Sequence, residues 1–157
     1  MQQKYTDIEN YFERLSREHR EIKTFCRYEL EELLDKTCSI QSFPALILEG
    51  FDFDYSGSTP DNILKNRTGA FCIVDSCDVF NSRERTEACE NNEIIAEQIL
   101  IRMVSDKQKR LPLLTGFDIT SAEGFHFVNP VLGYVFCRIN FSFKTKITED
   151  TKIWELS

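Results

Sequence analysis

Residues 43–55, Phe-Pro-Ala-Leu-Ile-Leu-Glu-Gly-Phe-Asp-Phe-Asp-Tyr, decide the fold. Phe43, Ala45, Ile47, Phe51, Phe53 and Tyr55 alternate along the stretch and share one side, interrupted only by Glu49. Leu46, Leu48, Asp52 and Asp54 share the other. Side chains on a strand point alternately to opposite faces, so the pattern predicts one long strand with a buried face. Its first half is apolar on both sides, which calls for a covering layer on each face at that end. Gly50, directly after Glu49, marks a bulge or bend.

Working outward, Ala70 to Val74 is apolar throughout and predicts a strand buried on both faces. It forms a hairpin with 43–55. The intervening Ser56 to Gly69 is rich in turn formers (Gly57, Pro60, Asp61, Asn62, Asn66) and reads as a long tip. Tyr134 to Thr145 gives the clearest half-exposed strand. Val135, Cys137, Ile139, Phe141 and Phe143 alternate with Arg138, Asn140, Ser142 and Lys144. Phe117 to Thr120 and Phe125 to Val128 are shorter strand candidates. Two helices frame these strands. The first is expected over about Asp7 to Asp35, from the stripe Ile8, Tyr11, Phe12, Leu15, Ile22, Phe25, Cys26, Leu30 and Leu33. The second is expected over about Ser82 to Lys107, from Ala88, Asn92, Ile95, Ile99 and Met103, with Ile94, Ala96 and Leu100 widening the face. Asn91-Asn92 is the place where it could be interrupted. Early glutamates and late lysines on this segment suit the helix dipole.

The expected architecture is α+β: two layers, a mostly antiparallel sheet with two long helices packed on one face. At 157 residues the chain forms a single domain, residues 1–157, with 146–157 as a C-terminal tail. A net charge of −7 argues against a phosphate-tracking nucleic-acid surface. No apolar run approaches the ~20 residues of a spanning helix, so no membrane contact is expected. The N-terminus lacks an apolar signal-peptide core. The six cysteines, at 26, 38, 72, 77, 89 and 137, are therefore expected to be free thiols in a reducing compartment.

Constellations for chemistry are weak. Asp52-x-Asp54-x-Ser56-Gly57 opens like a calcium loop, but its twelfth position is Ile63, where a bidentate glutamate is needed. The cysteines have no Cys-x-x-Cys spacing and no histidine close in sequence, as zinc would require. There is no Gly-x-Ser-x-Gly and no phosphate-cradling loop. No cofactor and no catalytic residue is expected. The remaining enzyme alternative places Asp52, Asp54 and Asp75 on adjacent strands as a metal-binding acidic cluster.

The order of elements, with Phe43-Pro44-Ala45 opening the first strand and the late strand of residues 133–143, resembles bacteriophage tail terminators and related neck or tail-completion proteins. That resemblance implies a structural subunit of the virion, assembled in the host cytoplasm. It implies a homo-oligomeric ring, commonly sixfold, that closes the tail tube or joins it to the head and contacts other tail or neck proteins. No catalysis and no sequence-specific nucleic-acid binding follow, although DNA would pass through the lumen. A non-phage assembly or adaptor subunit, including a contractile-injection component, is the alternative of the same kind. Within Ser56–Gly69, Asp61, Ile63, Leu64, Lys65 and Arg67 are the expected subunit contacts. Ile63 and Leu64 are an apolar pair in a polar tip, which a partner surface would bury.

Overall fold

A computed structural model describes residues 4–34, 40–148, 152 and 154–155. Helix α1 (Tyr5–Glu18) is followed by strand β1 (Thr24–Arg27), a short helix α2 (Leu30–Leu34), β2 (Ala45–Leu48), β3 (Asp52–Ser56) and β4 (Ile63–Ser76). A long helix α3 (Ser82–Gln108) then leads to β5 (Glu123–Asn129) and β6 (Tyr134–Ile147). The strands form one sheet in the order β1-β2-β4-β6-β5, with β3 also pairing β4. All pairings are antiparallel except β1 with β2. The fold is α+β, as expected, with both long helices on one face of a mostly antiparallel sheet.

The core on that face joins Ile8, Tyr11, Phe12 and Leu15 of α1 to Ile95, Ala96, Ile99 and Met103 of α3. Both helices lie over Leu46, Leu48, Phe71, Ile73, Cys137, Ile139, Phe141 and Phe143. A buried polar clamp locks the helices together. Tyr11 donates its hydroxyl to Asp106 Oδ2 at 2.9 Å, and Arg102 Nε donates to Asp106 Oδ1 at 3.1 Å. The opposite face needs cover only where the strands are apolar on both sides. There Leu33 of α2 and Ile40 pack on Ala45, Ile47, Cys72, Val74 and Phe136. This supplies the covering layer that the doubly apolar start of the 43–55 stretch requires.

Three expectations are corrected. The first helix does not reach Asp35. It ends at Glu18, with His19 turning to extended geometry and donating its N–H to the Leu15 carbonyl, and Thr24–Arg27 becomes β1. Phe25 packs with the helix-side core and Cys26 with the opposite one. Adjacent residues on a helix cannot serve two opposite faces, whereas on a strand they must. Pairing with β1 also gives the backbone groups of buried β2 their partners on that side. Asp35 itself lies outside the described residues.

The second correction is the long strand, which is interrupted. Leu48 pairs with Phe71 and Asp52 with Thr68, so residues 49–51 oppose only residues 69–70. The extra residue is a β-bulge at Gly50–Phe51, where the glycine predicts it. Its consequence is a change of face. Ala45 and Ile47 lie toward α2, while Phe51 is carried to the helix side with Leu46 and Leu48. Gly69 permits this, since a Cβ there would sit 2.1 Å from the Phe51 ring.

The third correction is the tip. β4 already begins at Ile63, so the connection shrinks to residues 57–62, with a 3₁₀ turn at Pro60–Asn62. Ile63 to Gly69 pairs with Ile147 to Phe141 on β6, which makes these residues strand and not loop. Phe117 contributes only an isolated bridge to Phe143, and Ile119–Ser121 is a 3₁₀ turn. Asn91-Asn92 does not interrupt α3. Asn81 caps it by accepting from the Arg83 and Glu84 N–H groups, and the buried Asn92 donates to the Val135 carbonyl at 3.0 Å.

Candidate functional site

Beyond the bulge, β3 and the first half of β4 with the end of β6 form a three-stranded ribbon. The pairing places Phe53 opposite Arg67 and Tyr55 opposite Lys65, and directly opposed residues share a face. Arg67 approaches the ring of Tyr5 on α1, so this is the helix side of the sheet. Neither helix covers its outer part. Phe53 is 55% and Tyr55 57% exposed, and their rings meet edge to face at 5.9 Å. The Lys65 ammonium lies 4.2 Å over the Phe53 ring. On the other face, Asn66 donates to Asp54 Oδ1 at 2.6 Å. Among the described residues β3 pairs only with β4, so its outer edge is open.

The five expected contact residues are therefore dispersed in character. Asp61 is exposed on the 3₁₀ turn. Ile63 and Leu64 open β4, opposite Ile147 and Lys146, with Ile63 exposed and Leu64 half-buried. Lys65 is half-buried beside Phe53, and Arg67 is buried within its own domain. The aromatic pair Phe53 and Tyr55, central to this surface, is missing from the expected set because strict alternation assigns both to the buried face. Gly50 signals the bulge that moves them to the helix side; their exposure follows from the ribbon's reaching past both helices, which no local pattern shows.

Two concavities offer the other places for chemistry. On the face away from the long helices, a groove of about 480 Å³ is lined by Asp52, Thr68, Glu123, Arg138, Asn140 and Ser142. Its guanidinium is already engaged, with Arg138 Nε and Nη2 donating to the two Glu49 carboxylate oxygens at 2.6 and 2.9 Å. Glu49 is 3% exposed and also accepts from the Cys72 thiol at 3.4 Å. Between α3 and the β5–β6 pair, a smaller pocket of about 240 Å³ is lined by Glu93, Glu97, Leu100, His126, Cys137 and Ile139. His126 Nε2 lies 3.9 Å from Glu93 Oε2. Burial first, then the charges of Glu93, Cys89 and Glu97, push the Cys137 thiol up to about 11. A nucleophilic cysteine needs the opposite shift, so this thiol is held protonated at neutral pH.

The acidic cluster is not assembled. Asp52 and Asp54 pair with Thr68 and Asn66, whereas Asp75 sits at the far end of β4 opposite Val135. Seven residues separate Asp75 from Thr68, about 23 Å along a strand. Among the described residues no group of three or more His, Cys, Asp or Glu side chains is placed to hold a metal ion, and no helix is long and apolar enough to cross a membrane. No protein-family model matches the chain, and no curated protein matches it in sequence.

Proposed function

We propose that the protein is a structural subunit that assembles with copies of itself into a ring, in the manner of bacteriophage tail-terminator and neck proteins. The observation that carries the reading is the ribbon surface: two large aromatic side chains, both more than half exposed, beside a strand edge that is open among the described residues. Tyrosine and phenylalanine exposed together gain little from water and much from a partner surface. An unpaired strand edge is a template for a further strand. The finer assignment to a phage tail or neck rests on the order of elements and on the strand of residues 133–143. The net charge of −7 agrees with it, because DNA slides through an acidic lumen without adhering.

The test is the mass of the native protein by light scattering, together with negative-stain images. A closed ring is expected, and replacing Phe53 and Tyr55 by serine should disperse it while leaving the circular dichroism spectrum intact. A monomer at every concentration tested would refute the reading. A stable oligomer unaffected by both replacements would remove the ribbon from it.

A further inference from the structure

The ribbon carries positive charge that no carboxylate among the described residues pairs with. Arg67 is 6% exposed, and its Nε has no hydrogen-bond partner among the described residues. Among the described residues it has no carboxylate within ion-pair distance. Its guanidinium lies 6.0 Å from the Tyr5 ring centroid, and that ring already faces Arg27, whose own charge is matched by Glu9 at 2.7 Å. Lys65 stands two residues away on the same face, and it too has no carboxylate partner among the described residues. Arg67 sits beneath the surface and adds positive potential there, while the half-buried Lys65 is the cation that a partner's carboxylate can reach.

The complementary surface lies on α3. Toward the sheet this helix buries Ala88, Asn92, Ile95, Ile99 and Met103. On the side turned away, Ile94 and Ile101 are 51% and 64% exposed. They are seven residues apart and so fall on one stripe, with the exposed Glu90 on the same stripe and the exposed Glu97, which also rims the pocket toward β5–β6, at its edge. Glu90 and Glu97 have no cation partner among the described residues, unlike Glu87, which Arg83 engages at 3.2 Å. This is a stripe of apolar side chains flanked by free carboxylates. The ribbon presents aromatic rings flanked by cations.

Resting on the assembly reading above, we propose that Phe53, Tyr55 and Lys65 of one copy, with the Arg67 charge beneath them, dock on the Glu90–Ile94–Glu97–Ile101 stripe of the next. Symmetric alternatives are disfavoured by charge. Ribbon on ribbon opposes Lys65 and Arg67 to themselves, and α3 on α3 opposes glutamate to glutamate. Because the two patches differ, the contact is head to tail and propagates around a ring, or along a filament if the rotation does not close.

The experiment is a charge exchange on the full chain. Lys65→Glu and Glu97→Lys, purified separately, should each associate at least about tenfold more weakly than the wild type by light scattering. Mixed in equal amounts, they should regain assembly. The charge-reversed ribbon of the first variant then meets the charge-reversed helix of the second. The unaltered ribbon of the second meets the unaltered helix of the first, so the two kinds of copy alternate. Tyr55→Ser, which alters no charge, should weaken assembly and gain nothing from mixing. Thermal melts of the single variants should match the wild type. If the wild type assembles but neither charge variant weakens it, or if mixing restores nothing, the docking pair is wrong and the assembly reading stands. A wild type that never assembles overturns both.

Discussion

Replacing Phe141 by alanine is the sharpest test of the core. The ring is 1% exposed and lies within 6.2 Å, centroid to centroid, of Phe12, Phe51, Phe71, Phe117 and Phe143. These neighbours come from α1, the bulge, β4, the segment after α3 and β6 itself, so Phe141 ties the separate parts of the helix-side core together. Removing about 150 Å² of buried apolar ring at about 25 cal/mol per Å² forfeits about 4 kcal/mol. Five bulky rings on separate elements cannot all collapse into the space left, so a cavity penalty adds to this figure. The expected loss is at the upper end of about 3–5 kcal/mol. Urea unfolding with linear extrapolation measures it, with Phe125→Ala as the contrast. Phe125 is an exposed ring against Arg138, and its loss should cost less than about 1 kcal/mol. A Phe141→Ala cost below about 1 kcal/mol would refute this account of the packing.

Glu49→Ala should destabilise the fold by about 3–5 kcal/mol by stranding the Arg138 guanidinium, and the paired change of Glu49 and Arg138 to methionine should recover most of it. Denaturant melts decide, and a single-variant cost under about 1 kcal/mol would mean the pair is effectively solvated. Stability should also fall as pH rises from about 9 to about 11. Cys137 has its folded pKa raised above the unfolded value, so its contribution is complete below that window and lost through it. Tyr11, raised by burial and by its bond to Asp106, acts in the same direction above about pH 10. Cys137→Ala should flatten the lower part of this alkaline decline, and an unchanged profile would count against it. Alkylation in denaturant without reductant should label all six thiols, and two or fewer labels would overturn the free-thiol assignment. Under native conditions Cys72 and Cys137 should react slowest, because both are buried with raised thiol pKa values. Cys38 lies outside the described residues, so its native rate is not predicted.

The sequence alone determined the parts in which one periodicity extends without competition. The alternation of Val135 to Phe143 reads directly as the strand that faces the helices, because five apolar residues in step have no other way to be buried together. The stripe from Ala88 to Met103 likewise reads as α3, and the uniformly apolar Ala70–Val74 as a strand covered on both sides. Tertiary structure decided the rest wherever two patterns fit equally well. Ile22, Phe25, Cys26 and Leu33 satisfy helical spacing, yet the open edge of β2 and the cores on both sides of the sheet claim Thr24–Arg27 as a strand. Glu49 reads as a flaw in an apolar face until folding brings Arg138, eighty-nine residues away, against its carboxylate. The placement of Phe53 and Tyr55 on the helix side turns on a single bulged residue, and their exposure on the ribbon's reaching past both helices. A strand has a period of two, so one extra residue exchanges the two faces of all that follow. Local pattern suggests where such a residue can sit, and only pairing with β4 fixes that it does.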